Sequence, residues 1–367
     1  MGADHFLSLD TPALLVDLPT LERNLARMAA HARDLGLEHW PHTKTHKVPE
    51  LAKRQLAAGS PGICVAKLGE AEVMIAAGLE RIFIANDIVG PQKVARLLPL
   101  ARRADVSVCV DSLAAAEPLS AAFHAAGLRL QLLLEIDTGL GRCGVPPGKP
   151  ATELARALDR LPGLELVGIM TYAGMIPGRT SPAEIEAAAT EEAQTMASVA
   201  QDLRAAGLKI RRISGGSTPR ARFYRPNCGL TEIRPGTYIY NDVNCLDTGA
   251  ASQDDCALTV LATVISRPGP ARATLDAGSK ALTSDRAVAS PGHGRIVELP
   301  GAVISRLDEE HAYVDLSQAE REPAIGEKLR LIPNHACPVS NLADEISLIA
   351  DDHVVATLPI AARGKSR

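Results

Sequence analysis

Aromatic side chains are scarce in this 367-residue chain: one Trp, five Tyr and four Phe make up 3% of it. That leaves no basic stripe interleaved with stacking rings, the usual footprint of a single-strand nucleic-acid binder. An excess of one charge is also missing. The formal net charge is −4, which gives no electrostatic case for nucleic acid or an anionic membrane. No apolar run is long enough to cross a bilayer. The start, Met1-Gly2-Ala3-Asp4-His5, lacks the basic-then-apolar profile of a signal peptide. Paired cysteines are absent too. The seven, Cys64, Cys109, Cys143, Cys228, Cys245, Cys256 and Cys337, are odd in number and dispersed, which argues against a disulfide framework and for a reducing cytoplasm. Cys64 and Cys109 sit inside apolar runs and read as core residues.

What is present is a recurring alternation. Short apolar runs fall at residues 38–40, 63–66, 81–85, 106–110, 130–136, 166–170, 210–213 and 238–240, with Ala- and Leu-rich helical stretches between most of them. Near-continuous hydrophobic runs are expected of strands buried on both faces of a parallel sheet. Ser181-Pro182-Ala183-Glu184 fits a capping box with proline in the first turn. Gly78, Gly127 and Gly207 stand where helices should stop. Eight strand and helix units predict an α/β fold, a (β/α)₈ TIM-type barrel, with a doubly wound open sheet as the alternative. After residue 245 the alternation gives way to short β-branched segments with Pro and Gly between them, which reads as a mostly-β C-terminal domain. The expected division is a barrel over residues 12–245 and a β-domain over 246–367, with residues 1–11 pairing into the latter. Residues 13–18 are themselves strand-like.

Catalytic groups in such barrels gather where strands end. Polar residues do stand there: Lys44, Lys67, Asn86 with Asp87, Asp111, Asp137, Tyr172, Ser214 with two glycines, and Asn241 with Asp242. Four motifs carry chemistry. In Pro41-His42-Thr43-Lys44-Thr45-His46-Lys47, a lysine crowded by cationic neighbours can serve as an amine nucleophile towards an aldehyde; a basic surface turn is the plain alternative. Ser214-Gly215-Gly216-Ser217-Thr218 offers backbone N–H groups and hydroxyls to a phosphate after the seventh strand, a common phosphate position in barrels. Arg142, on the turn Gly139-Leu140-Gly141-Arg142-Cys143-Gly144, can aim planar donors at a ring nitrogen or carboxylate, or lie in solvent. In Pro333-Asn334-His335-Ala336-Cys337-Pro338, spacing i, i+2 in an extended chain places imidazole and thiol on one face. That donor pair suits Zn²⁺ better than Mg²⁺ or Ca²⁺. Asp344 and Glu345 stand nearby in sequence as orienting or merely surface carboxylates.

With these motifs in one order, together with Asp276-Ala277-Gly278-Ser279-Lys280 and the ending Ala362-Arg363-Gly364, the chain resembles the D-threonine aldolase/D-serine dehydratase family. That family belongs to the alanine-racemase-like, fold type III enzymes that use pyridoxal 5′-phosphate (PLP). The resemblance runs from about Thr11 to Arg363. It implies a homodimer acting on a small D-amino acid. Lys44 would be the Schiff-base lysine, with His42, Tyr172 and Tyr238 beside the cofactor and Arg142 facing its pyridine nitrogen. Ser214, Gly215, Gly216, Ser217 and Thr218 would form the phosphate seat. His335 and Cys337 would hold a divalent metal, Zn or Mn, with the β-domain expected to reach over the barrel mouth. Family aldolases carry His-x-Asp at the metal site, whereas His-x-Cys resembles the dehydratase branch. Those aldolases also carry a histidine soon after the tyrosine, where this chain reads Tyr172-Ala173-Gly174-Met175-Ile176-Pro177-Gly178. The implied activity is a PLP- and metal-dependent lyase on β-hydroxy D-amino acids. Dehydration comes first and retro-aldol cleavage second. A racemase, a non-catalytic PLP carrier and a metal-free Schiff-base sugar aldolase are the lesser alternatives.

Overall fold

The computed structural model describes residues 4–174 and 180–367. The chain divides into two compact units. One comprises Arg27–Lys44, Pro49–Gly236 and Lys365–Arg367; the other comprises Met1–Ala26, Thr45–Val48 and Thr237–Gly364. The division differs from the expected boundaries: residues 12–26, 45–48 and 237–245, assigned to the barrel by sequence, group with the β-unit, and 365–367 group with the barrel.

The first unit is a barrel of eight parallel strands. In chain order they are Glu38–His39, Ile63–Val65, Arg81–Asp87, Asp105–Val110, Leu130–Glu135, Leu164–Met170, Arg212–Gly215 and Glu232–Ile233. Each pairs in parallel with its sequence neighbour from the second strand to the eighth, and the eighth pairs with the first. Between the first and second strands closure rests on a parallel bridge, His42 to Cys64, with the Cys64 amide donating to the Pro41 carbonyl at 2.8 Å. Seven of the eight strands fall where hydrophobic runs predicted them. The eighth does not. Residues 238 and 239 belong to a 3₁₀ turn, Thr237–Ile239, in the other unit, with Tyr240 directly after it, and the eighth barrel strand is the two-residue Glu232–Ile233.

The barrel interior explains the error. Its apolar layer is Trp40, Cys64, Phe83, Cys109, Leu133, Val167 and Met170, with Cys64 and Cys109 fully buried. Below it lies a polar layer. Arg212 grips Glu232 with two hydrogen bonds, 2.8 and 2.9 Å, and stacks 4.5 Å from the Trp40 ring. A strand whose inward residue is a carboxylate gives no hydrophobic signal, yet a two-pronged arginine and an aromatic face are what permit that charge inside. Helices clothe the outside. The helix Pro182–Ala205 opens with the expected capping box between Ser181 and Glu184 and stops before Gly207, whose φ of 90° suits a residue without Cβ.

The second unit is built on a nine-stranded sheet. Its order runs Val303–Leu307, Ala312–Asp315, Arg272–Leu275, Leu258–Gly269, Ala13–Asp17, Glu345–Ala350, His353–Pro359; Lys328–Ile332 also pairs with Leu258–Gly269 and carries Arg295–Ile296. Ala13–Asp17 is the hub, antiparallel to Leu258–Gly269 on one side and parallel to Glu345–Ala350 on the other. Its core, Leu14, Leu15 and Val16, is buried. That is why the N-terminal strand leaves the barrel that follows it. Ahead of it, His5 bridges His353.

Candidate active site

Lys44 lies in a 3₁₀ turn, Thr43–Thr45, five residues past the end of the first barrel strand. The barrel unit encloses a cavity of about 240 Å³, and Lys44 lines it together with His42, Asn86, Asp87, Glu135, Arg142, Cys143, Tyr172 and Arg234. Four sequence-predicted residues therefore converge: His42, Lys44, Arg142 and Tyr172. The Lys44 ammonium is 5.1 Å from the centre of the Tyr172 ring and the Arg142 guanidinium 4.8 Å from it. Two cations near one ring is a cation–π arrangement, and it holds the three side chains together. Arg142 owes its place to Asp137, whose carboxylate accepts from the amides of Gly139 at 2.9 Å and Gly141 at 3.1 Å, knitting the turn that carries it. Met175, Ile176, Pro177 and Gly178, the stretch without a histidine, lie outside the described residues.

Sequence reasoning missed two cavity residues. Glu135 ends the fifth strand, and burial, outweighing Arg142 and Arg234, raises its carboxyl above the usual carboxylate range. Arg234 follows the eighth strand, is buried, and donates to the Ser214 hydroxyl and the Thr171 carbonyl. No periodicity could flag an arginine placed by a strand that was itself unreadable. Asp87 was seen as polar but not as perturbed: burial first, then Asp111 and Glu135, pushes its carboxyl up to about 7.

The 214–218 turn is not part of this lining among the described residues. Ser214 and Ser217 are buried, and the Ser217 hydroxyl oxygen has no hydrogen-bond partner. An orphaned buried hydroxyl on a glycine turn fits a ligand oxygen that would complete it. The glycines serve differently from the sequence reading. A Cβ on Gly215 would sit 2.9 Å from a Glu192 carboxylate oxygen, and one on Gly216 3.0 Å from the Tyr224 ring. The Gly216 amide donates to Glu192 at 2.8 Å. It is thus committed to the protein, so the hydroxyl of Ser217 remains as the turn's unspent side-chain donor. Thr218 begins the short helix that follows the turn. Tyr238, expected beside the cofactor, lies buried in the 3₁₀ turn of the β-unit.

In the β-unit, His335 and Cys337 are not on an extended chain as the spacing suggested. His335 is the extended N-cap of the helix Ala336–Leu342, and Cys337 lies in its first turn. They still meet. The thiol's hydrogen bond and charge, with Asp242 and Asp285, outweigh burial and push the His335 imidazole up to about 9. His335 Nδ1 lies 2.8 Å from an Asp285 carboxylate oxygen. A carboxylate on one ring nitrogen is the arrangement that orients an imidazole towards a metal. Thr45 Oγ1 lies 3.2 Å from the Cys337 sulfur. Asp242, expected at a barrel strand end, instead accepts from the Ala336 amide at 2.9 Å and from Cys245 N at 2.9 Å, so it holds the start of the His-x-Cys helix. Lys67 caps the helix Leu68–Ala76. The imidazole and thiol suit a borderline-soft divalent ion.

Comparison with known proteins places this architecture. A family model described as the alanine racemase N-terminal domain matches residues 16–243, and one described as a putative serine dehydratase domain matches 257–349. These matches, with the relatives below, define the class first, a lyase of the alanine-racemase-like, PLP-dependent type. The chain is 38% identical over 369 residues to a D-threonine aldolase of an Arthrobacter species, covering 99% of this chain and 95% of that one. It is 36% identical over 374 residues to D-threo-3-hydroxyaspartate dehydratase of Delftia sp. strain HT23, covering 96% and 98%. The crystal structure of a D-threonine aldolase from Filomicrobium marinum superposes with a TM-score of 0.90 at 34% identity, covering 99% of each chain. Solved variants of a D-threo-3-hydroxyaspartate dehydratase replace a histidine and, two positions on, a cysteine by alanine; the latter, in the metal-free form, has a TM-score of 0.90 at 35% identity over 97% of this chain and 98% of that one. The chain belongs to the D-threonine aldolase/D-serine dehydratase family.

Proposed function

We propose that this enzyme is a PLP-dependent dehydratase of small β-hydroxy D-amino acids, working with a divalent metal. The observation that carries the choice of dehydration is the His335–Cys337 pair, which lies within the segment matching the serine dehydratase domain and is braced by Asp285, Thr45 and Asp242. The cysteine replaced in a metal-free dehydratase, two positions after a histidine, has the same spacing.

PLP, when bound, supplies an electron-withdrawing ring that labilises the bonds to Cα. Lys44 is the amine that would hold it, and it is the group able to take a proton from substrate Cα and return one. The Arg142 donors and the Tyr172 ring, near which both Lys44 and Arg142 lie, would set the cofactor's ring plane. The Ser217 hydroxyl would receive the phosphate. A metal held by His335 and Cys337 would supply Lewis acidity to the β-hydroxyl. In elimination the Cα–H and Cβ–O bonds break, water leaves, and the resulting enamine hydrolyses to a 2-oxo acid and ammonia.

The second reading is retro-aldol cleavage. A base takes the hydroxyl proton, the Cα–Cβ bond breaks, and glycine and an aldehyde form. Its support is the 38% identity to a D-threonine aldolase across nearly the whole chain. Incubation with D-serine, D-threonine and D-threo-3-hydroxyaspartate separates the two. Oxo acid with ammonia supports dehydration; glycine with aldehyde overturns it in favour of the aldolase. The proposed homodimer is tested by sedimentation of the purified chain, where a monomer at micromolar concentration refutes it.

A further inference from the structure

Glu192 lies on the inner face of the helix Pro182–Ala205 and is 2% exposed. One carboxylate oxygen accepts from the Gly216 amide at 2.8 Å and from the Tyr224 hydroxyl at 2.7 Å. The other is ion-paired with Arg220, itself 3% exposed. Arg220 belongs to the short helix after the glycine turn, and its second nitrogen reaches the Ala173 carbonyl at 3.5 Å, one residue past Tyr172. Tyr224 is held protonated, burial and then the Glu192 charge pushing it well above its ordinary value, so it remains a donor. Burying such a pair costs more desolvation than packing apolar groups of the same volume. For shape alone, then, it is an expensive solution. It does, however, fix one backbone amide, one arginine and one phenol around a turn whose remaining side-chain donor, Ser217 Oγ, has no partner.

We propose that Glu192 is the positioning residue of the cofactor's phosphate seat: its carboxylate pins the Gly216 amide and Arg220, and so keeps the 214–218 turn in the conformation that leaves the Ser217 hydroxyl for the phosphate. This rests on reading that turn as the phosphate seat. The mechanism is electrostatic as well as steric. The Arg220 pairing neutralises the carboxylate, so a dianion beside the turn meets no net negative charge from below. Glutamine at 192 keeps the volume. It cannot neutralise Arg220, and it sets an amide N–H₂ where an acceptor is needed. The turn then relaxes, and Arg220 is left to seek another partner.

The test uses the full-length chain stripped of cofactor and titrated with PLP and, separately, with pyridoxal, which lacks the phosphate; visible absorbance reads both. Wild type should bind PLP the more tightly. Glu192→Gln should weaken PLP about tenfold, the scale of one lost charge-assisted hydrogen bond, and leave pyridoxal unchanged. Ser217→Ala should do the same, and the double variant should lose no more than either single one, because both act on one contact. Unchanged PLP affinity in Glu192→Gln, or equal loss for both ligands, overturns the proposal. Wild type binding both ligands alike sinks the phosphate reading of the turn instead, a distinct outcome. If Glu192→Gln does not fold, Tyr224→Phe removes one donor to the same oxygen. It should give a smaller loss confined to PLP, and no phosphate-selective loss there counts against Glu192.

Discussion

Asp87 ends the third barrel strand inside the cavity, close enough to Asp111 and Cys143 that their ligand atoms lie within 4.8 Å of one another. Burial, then the charges of Asp111 and Glu135, raises its carboxyl from 3.8 to about 7. A group whose folded value is raised above its unfolded one stabilises the fold most below the unfolded value, here pH 3.8, and that contribution is lost as pH rises through about 7. In Asp87→Asn the term is absent. Denaturant titrations of the cofactor-free protein between pH 4 and 8 should therefore show wild type losing stability relative to Asp87→Asn as pH rises; parallel curves would refute the shift. Lys44 makes a sharper claim at the same scale. Lys44→Ala should abolish the visible absorption of the purified enzyme and cut turnover by about a thousandfold or more. A variant that stays yellow and active would show that another amine does the work.

Strands and turns show how much was legible. Seven barrel strands could be read because most are hydrophobic runs with buried centres; the first, Glu38–His39, was found through its neighbour Trp40. The eighth could not, because its inward residue is Glu232, tolerated through Arg212, while the apolar Tyr238-Ile239-Tyr240 was spent on a buried turn elsewhere. Local pattern reports burial, not which core does the burying. Lys44 and Tyr172 were visible as polar residues at strand ends and Arg142 on its glycine-rich turn, and the cavity gathers all three. Arg234 and Glu192 were invisible because their partners are backbone and side chains far away in sequence. The same long-range packing makes Gly168 a test of the barrel seam. A Cβ there would lie 2.1 Å from the Arg212 carbonyl, where the sixth strand pairs with the seventh. Gly168→Ala must part those strands and disturb the arginine that holds Glu232. Urea denaturation should register a loss of about 1–3 kcal/mol, the usual cost of overpacking; unchanged stability would mean that the seam can yield.

At the scale of the whole chain, the candidate cofactor residues and the candidate metal residues belong to different units. Lys44, Arg142, Tyr172 and the 214–218 turn lie in the barrel, while His335, Cys337, Asp285 and Asp242 lie in the β-unit. Each set is braced from within its own unit: Arg142 by Asp137, the glycine turn by Glu192, and the His-x-Cys helix by Asp242. Loading of one group therefore should not require the other. Dialysis against a chelator, or Cys337→Ala, should strip the metal and stop oxo-acid formation from D-serine while leaving the visible absorption and the PLP dissociation constant as in wild type. Lys44→Ala should do the reverse, losing the chromophore but retaining one metal equivalent by elemental analysis. Full oxo-acid formation after complete metal removal would take the metal out of the mechanism, and metal-independent conversion of D-serine to L-serine would favour a racemase. Loss of chromophore together with metal would show instead that cofactor binding depends on the metal, and that the two sites are not independent.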